Sequence, residues 1–276
     1  MTFSIVARSA DGSTWGVAVA SKFLAVGNAV PAAVAGVGAI ATQANANVAY
    51  KGLALAHLDD GATAPIALQQ LLEEDEERDH RQVGIVDVDG GAASHTGPAC
   101  LPWAGGVTGE GYAIQGNILA GSEVVEAMER AWHDSAAEPD LARRLLAALT
   151  AGDAAGGDSR GRQSAALLVV REEAGYDGGD DIAVDLRVDD AGSLPDGNPI
   201  TELARLLDLN DLYLTASTEE EKVPVTPELE AELEAFAAER GARDFQSWVG
   251  AENYEMRVAR DLAWIDQRIL TIVRAS

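Results

Sequence analysis

A chain of 276 residues, 47% of them hydrophobic, is long enough to bury a substantial core and reads as globular. Against 45 acidic side chains stand 20 basic ones, of which only Lys22, Lys51 and Lys222 are lysines, and the net charge is -25. That field repels nucleic acid and anionic membranes, and a solvated acidic surface short of lysine fits a halophile, whose salty cytoplasm screens the repulsion.

In chain order, Phe3 to Arg8 and Trp15 to Ala20 are short apolar runs around the turn Asp11-Gly12-Ser13, so they read as a β-hairpin. Gly36 to Gln43 is a further strand, followed by Asn45 and Asn47. Val48 to Asp59 and Pro65 to Leu72 have helical spacing and are separated by Asp60-Gly61. Gln82 to Val88 and Ala92 to Thr96 make a second hairpin around Asp89-Gly90-Gly91, and Gly109 to Gln115 another strand. Ser122 to Trp132 is helical, with Val124, Val125, Met128, Ala131 and Trp132 on one stripe. Leu141, Leu145, Leu146 and Leu149 mark the next helix. A Gly- and Asp-rich loop, Ala151 to Gly161, leads into strands at Ser164 to Arg171 and Ile182 to Val188. The pattern defines an α+β fold, and helix pairs alternating with hairpins imply two sheets face to face under outer helices.

From Ile200 the chain turns helical, and Thr215 to Val225 reads as a polar linker. The expected division is therefore 1–215, a linker at 216–225, and a small helical domain at 226–276. Thr226 is placed to cap a helix with Pro227 at its first position and Leu229, Leu233 and Phe236 on its apolar face. Val258, Leu262, Ile265, Ile269 and Ile272, four and three apart, read as a helical seam.

No basic stretch precedes an apolar run at the start, and no apolar run can span a bilayer, so a cytoplasmic location without membrane contact is expected. Cys100 is the single cysteine, which leaves no intrachain disulfide and a small apolar role. His57, His80, His95 and His133 are scattered without metal-ligand spacing, and neither a metal nor a cofactor is expected. No phosphate-binding loop and no Gly-x-Ser-x-Gly elbow occurs.

The chemistry concentrates at the start. Removal of Met1 before the small Thr2 leaves an α-amine and a hydroxyl on one rigid strand. Such an amine titrates near pH 7.7–8.0, roughly, so at neutral pH part of it can take the proton of its own Oγ.

The segments Thr2-Phe3-Ser4-Ile5, Gly16 to Ser21 and Ala25 to Asn28 resemble the opening of N-terminal nucleophile (Ntn) hydrolases such as proteasomal β-subunits. More closely, the chain resembles an uncharacterised bacterial and archaeal family of that superfamily, through Gly38 to Ala44, Arg81 to Asp87, Trp103 to Gly105, Tyr112 to Asn117 and Gly157 to Ser164. The resemblance covers about residues 2 to 215. It implies a four-layer αββα sandwich and a hydrolase of carbon–nitrogen bonds acting on a small-molecule or peptide amide through an acyl-enzyme on Thr2.

Ser21 falls where the proteasomal relatives carry an Asp, and no Lys occupies their second supporting place, so their relay is not present as such. Thr2, Ser21, Asn117 and Asp158 are the expected catalytic residues. Asn117 is expected to head a helix and donate to an oxyanion, and Asp158 to hold the Thr2 ammonium. Lys22, Gln43, Gln115, Arg160 and Gln163 are the expected substrate-binding residues. An Asp158–Arg160 pair also serves as a plain loop-ordering salt bridge, and Gly116-Asn117 also as an ordinary turn. The stretch Trp248 to Glu255 resembles a peptidoglycan-binding module, with Trp248 and Tyr254 either its sugar platform or core aromatics. Two rivals to the hydrolase stand: a non-catalytic module of the same fold that binds a small ligand or a partner through the same cleft, and a cell-wall or assembly adaptor acting through the C-terminal domain. Separately, the seam from Val258 to Ile272 packs either within the small domain or on a second subunit of a homo-oligomer.

Overall fold

The computed structural model describes residues 2–176 and 178–275. The chain opens with the expected hairpin, β1 (Thr2–Arg8) and β2 (Thr14–Ser21). A short helix α1 (Val26–Ala29) and an unexpected strand β3 (Pro31–Val34) lead to β4 (Gly38–Ala44). Helices α2 (Tyr50–Asp59) and α3 (Ala64–Glu73) precede the second hairpin, β5 (Arg81–Asp87) and β6 (Ala92–Thr96). A second unexpected strand, β7 (Gly105–Gly109), pairs with β8 (Tyr112–Asn117). Helices α4 (Glu123–Asp134) and α5 (Leu141–Ala154) and strands β9 (Ser164–Arg171) and β10 (Ile182–Val188) follow, then α6 (Pro199–Leu214).

The strands form two antiparallel sheets, a larger one ordered β10-β9-β2-β1-β8-β7 and a smaller one ordered β3-β4-β5-β6. The sheets pack face to face. Helices α4 and α5 cover the outer face of the larger sheet, and α2 and α3 that of the smaller. The α+β fold is therefore a layered sandwich. Thr2 to Ala7 of β1 are buried on both faces, one against α5 and the other against the second sheet, and apart from Thr2 and Ser4 they are apolar. Helix α5 starts at Asp140, whose carboxylate accepts from the Ala142 amide at 2.8 Å, and it lies close on β2 because Gly16 has no Cβ. A Cβ there would stand 2.7 Å from a Leu145 methyl and 2.8 Å from the Leu168 carbonyl oxygen.

The chain divides into compact units at Arg205/Leu206, within α6 and ten residues ahead of the expected boundary at 215. Residues 216–225 are not an open linker. Thr218 and Glu221 form a capping box, and β11 (Lys222–Pro224) pairs antiparallel with a later strand at Trp264–Asp266. Polar residues that read as solvated instead serve a buried charge, since Glu221 pairs with fully buried Arg257 at 3.2 Å.

The rest of this unit contains α7 (Pro227–Glu239), α8 (Phe245–Ala251), β12 (Trp264–Asp266) and α9 (Gln267–Ala275). Thr226 caps α7 as expected, its hydroxyl accepting from the Leu229 amide at 3.3 Å. The apparent seam from Val258 to Ile272 is not one helix. Val258 bridges Ile265 as extended chain, Leu262 has a left-handed φ of 56°, and only Ile269 and Ile272 are helical. All five reach the same core by different routes. Trp248 and Tyr254, each 7% exposed, are core aromatics 5.5 Å apart rather than an exposed platform. No helix of the described residues is long and apolar enough to cross a membrane.

Candidate active site

Strand register assembles the site. Thr2 is directly opposite Ser21 on β2 and Asn117 on β8, and Ser21 is opposite Ser164 on β9. Directly paired residues in antiparallel strands share a face, so Asn117, Thr2, Ser21 and Ser164 form one polar row across four strands. All four are buried, Thr2 the most accessible at 7%. The Thr2 and Ser21 hydroxyls are hydrogen-bonded at 3.1 Å. The Ser164 hydroxyl donates to the Phe23 carbonyl and accepts from the Val26 amide, fixing the turn after β2.

Behind the row lies a buried amide network between the sheets. Ser4, two residues along β1 from Thr2, donates to Gln43 Oε1 at 2.8 Å and accepts from Gln115 Nε2 at 2.7 Å. Gln43 Nε2 in turn donates to the Thr2 carbonyl at 3.3 Å and to Gln82 Oε1 at 2.8 Å. Gln82 Oε1 also accepts from Asn117 Nδ2 at 2.9 Å, while its own amide donates to the Gly116 carbonyl at 2.7 Å and to Thr96. Gln43, Gln82, Gln115 and Ser4 are at most 1% exposed. Gln43 and Gln115, expected to touch substrate, instead brace Thr2 and the strand carrying Asn117. Gln82 at the centre was not singled out from sequence, although a glutamine in the otherwise apolar alternation Gln82, Gly84, Val86 was its signal.

Asn117 does not head a helix. It is the last residue of β8, and α4 begins six residues later, because Asn117 completes the ladder with Thr2. The Asp158 carboxylate accepts from the amides of Lys22 at 2.7 Å and Arg160 at 2.9 Å and from the Arg160 guanidinium at 3.3 Å, so it pins the loop after Ser21 to the loop before β9. These partners, rather than Thr2, take its hydrogen bonds. Exposed Lys22 donates from its ammonium to the Arg162 carbonyl at 3.3 Å. Gln163 donates its backbone N–H to the Ser21 carbonyl and its side chain to Asp190.

A cavity of about 320 Å³ opens at this end of the larger sheet, lined by Ser21, Asp158, Ser164, Arg162 and Asp153, with Phe3 as its apolar wall. Thr2 and Asn117, in the same row as Ser21, are not among the residues that line it. Residue 1, whose removal would free the Thr2 amine, lies outside the described residues. Cys100 is half-buried rather than core, with its thiol against the Arg81 carbonyl, and burial pushes its pKa up, which disfavours the reactive thiolate. Among the described residues no cluster of three or more His, Cys, Asp or Glu side chains is placed to hold a metal ion.

Residues 2–203 match the profile of a family of unknown function, DUF1028. The chain belongs to that family. Its fold matches the crystal structure of a DUF1028 protein from Silicibacter pomeroyi with a TM-score of 0.68 at 32% identity, over 81% of this chain and 95% of that one. No functionally curated protein matches the chain.

Proposed function

We propose that the first unit is an Ntn-type amidohydrolase whose nucleophile is Thr2, active once the bond between residues 1 and 2 is broken. The observation that carries this reading is the placement of Thr2, a strand-end hydroxyl flanked by Ser21 and Asn117 and braced by a buried amide network. A merely structural threonine at a strand end needs no such support.

In the proposed cycle the freed α-amine takes the Thr2 Oγ proton as Oγ attacks the amide carbonyl carbon. Ser21, hydrogen-bonded to that hydroxyl, orients it and relays the proton. The Asn117 side chain has two N–H donors and gives one to Gln82, so the second is available to the oxyanion. Collapse breaks the C–N bond, the leaving amine takes the proton from the ammonium, and an ester on Thr2 remains. Water, deprotonated by the same amine, then releases the acid. The cavity beside Ser21 has room for a small acyl group with polar substituents.

A second reading, ligand binding without turnover, is favoured by Ser21 and Asp158 rather than Thr2 lining the cavity. A β-lactone that acylates hydroxyl nucleophiles separates the two. Peptide mass spectrometry should find the acyl group on Thr2 in wild type and none in Thr2→Ala, and an amide and lactam library should show hydrolysis with the same dependence. No adduct, or an adduct retained in Thr2→Ala, leaves the binding module as the better account.

A further inference from the structure

A second cavity, of about 500 Å³, lies at the other end of β1, with Arg8, Arg144, Tyr112, Trp132, His133 and Glu110 on its wall. Arg8 is six residues along the strand from Thr2, roughly 20 Å away at the usual rise. Arg144, in the first turn of α5, is only 8% exposed, and its guanidinium carbon lies over the Trp132 ring, 3.7 Å from the centroid. It donates to the Trp132 carbonyl at 3.2 Å, but its Nε is buried without an acceptor. The same is true of Arg8 Nε, and no carboxylate within salt-bridge distance pairs with either guanidinium among the described residues. The room for the Arg8 guanidinium is made by Gly12, where a Cβ would stand 2.1 Å from Nη2.

Two guanidiniums beside one cavity, neither in contact with a carboxylate, are unexpected in a chain with 45 acidic side chains. A buried charge left uncompensated is costly, and the planar N–H fork of arginine matches the oxygens of a carboxylate or phosphate. The negative groups nearby do not make contact pairs with them: Glu138 acts on Arg144 through its charge but accepts its hydrogen bond from the Asp140 amide. Glu129 is engaged by the Tyr112 hydroxyl at 2.8 Å, which itself lies 3.2 Å from His133 Nε2, and Glu110 lines the cavity without pairing with either arginine. We propose that this cavity is a binding site for a small oxyanion, a carboxylate or phosphate group held between Arg8 and Arg144.

Isothermal titration calorimetry with inorganic phosphate and, separately, with acetate tests the site, at one ionic strength held with sodium chloride because so acidic a chain responds to salt alone. Saturable heat in at least one arm is expected, weakened at least about tenfold in Arg8→Met and in Arg144→Met, and the arm that responds identifies the oxyanion. If Arg144→Met does not fold, Arg144→Lys, which keeps the charge and loses the fork, takes its place and should also weaken binding. No saturable heat in either arm, or heat unchanged in the folded arginine variants, overturns the proposal.

Discussion

The space between the two sheets is built in two contrasting halves. Away from Thr2 it is apolar, with Val6, Val17 and Val19 of the larger sheet packed on Ala39, Ala41 and Val86 of the smaller. At the Thr2 end the same strands turn polar on the same face: Thr2 and Ser4 on β1, Ser21 on β2, Asn117 and Gln115 on β8, Gln43 on β4 and Gln82 on β5. The apolar half needs only volume, whereas the amide half must satisfy nearly every donor and acceptor, and among its amide atoms only Gln115 Oε1 finds no donor. A fold that needed stability alone would extend the valines to the end. The contrast therefore assigns the polar half to holding Thr2 and its neighbours in place.

Gln82→Leu should break the contrast most strongly. It removes the acceptor shared by Gln43 and Asn117 and the donor to the Gly116 carbonyl, so buried polar groups lose partners at about 1–3 kcal/mol each. Urea unfolding should show a loss of about 3 kcal/mol, and β-lactone acylation of Thr2 should fall with it. Val17→Ala in the other half should lose about 2 kcal/mol through its cavity while leaving Thr2 acylation unchanged in the folded protein. Equal effects of both variants on acylation would erase the functional distinction. Gly84→Ala sharpens it, since the new Cβ would meet Gln115 Oε1 at 2.1 Å and push that amide off Ser4. We expect about 1–2 kcal/mol of destabilisation from this overpacking, with a crystal structure showing the Gln115–Ser4 bond broken.

Solvent conditions discriminate further. The amide half contains no ionisable side chain, while just outside it Asp75 has its pKa held well below the usual carboxylate value, chiefly by its hydrogen bonds from Arg81, then by those from Tyr50, the Glu77 amide and Asn47. A depressed folded-state pKa contributes stability that is present above the unfolded value of roughly 3.9 and is lost as pH falls through the folded value. Asp75→Asn should accordingly be less stable at neutral pH and lose less on acidification below about pH 4, whereas Gln82→Leu should keep the wild-type acid dependence. The smallest difference should come from salt. With a net charge of -25, melting temperatures should rise between about 0.1 and 1 M salt as the Debye length shrinks from about 10 to about 3 Å. The rise should be equal in Gln82→Leu and Val17→Ala, since neither changes charge.

How much of this was legible in the sequence follows from which forces are local. The first hairpin, and with it the Thr2–Ser21 pair, came from two short apolar runs and the Asp11-Gly12 turn between them. The helix start at Thr226 was written in its capping residue, and Asp140 caps α5 in the same way although the apolar spacing alone had marked that helix. Strands β3 and β7 were missed because Pro31 and the glycines at 105, 106 and 109 remove the usual strand signal, and pairing with a neighbour decides them instead. The even three-and-four spacing after Val258 misled for the converse reason: a strand and a turn placed those residues in one core without a helix. At the site, register brought Asn117 beside Thr2, but the tie from Gln82 to Gln43 and Asn117 spans strands from both sheets. No local pattern encodes it.

The central claim, that this polar half holds a nucleophile at the start of a mature chain, is tested most directly by the intact mass of the protein purified from its native source. The account predicts a mass that places Thr2 at the N-terminus with its amine unmodified. A mass that retains residue 1, or an acetylated Thr2, would contradict it, because no free α-amine would then stand beside the Thr2 hydroxyl.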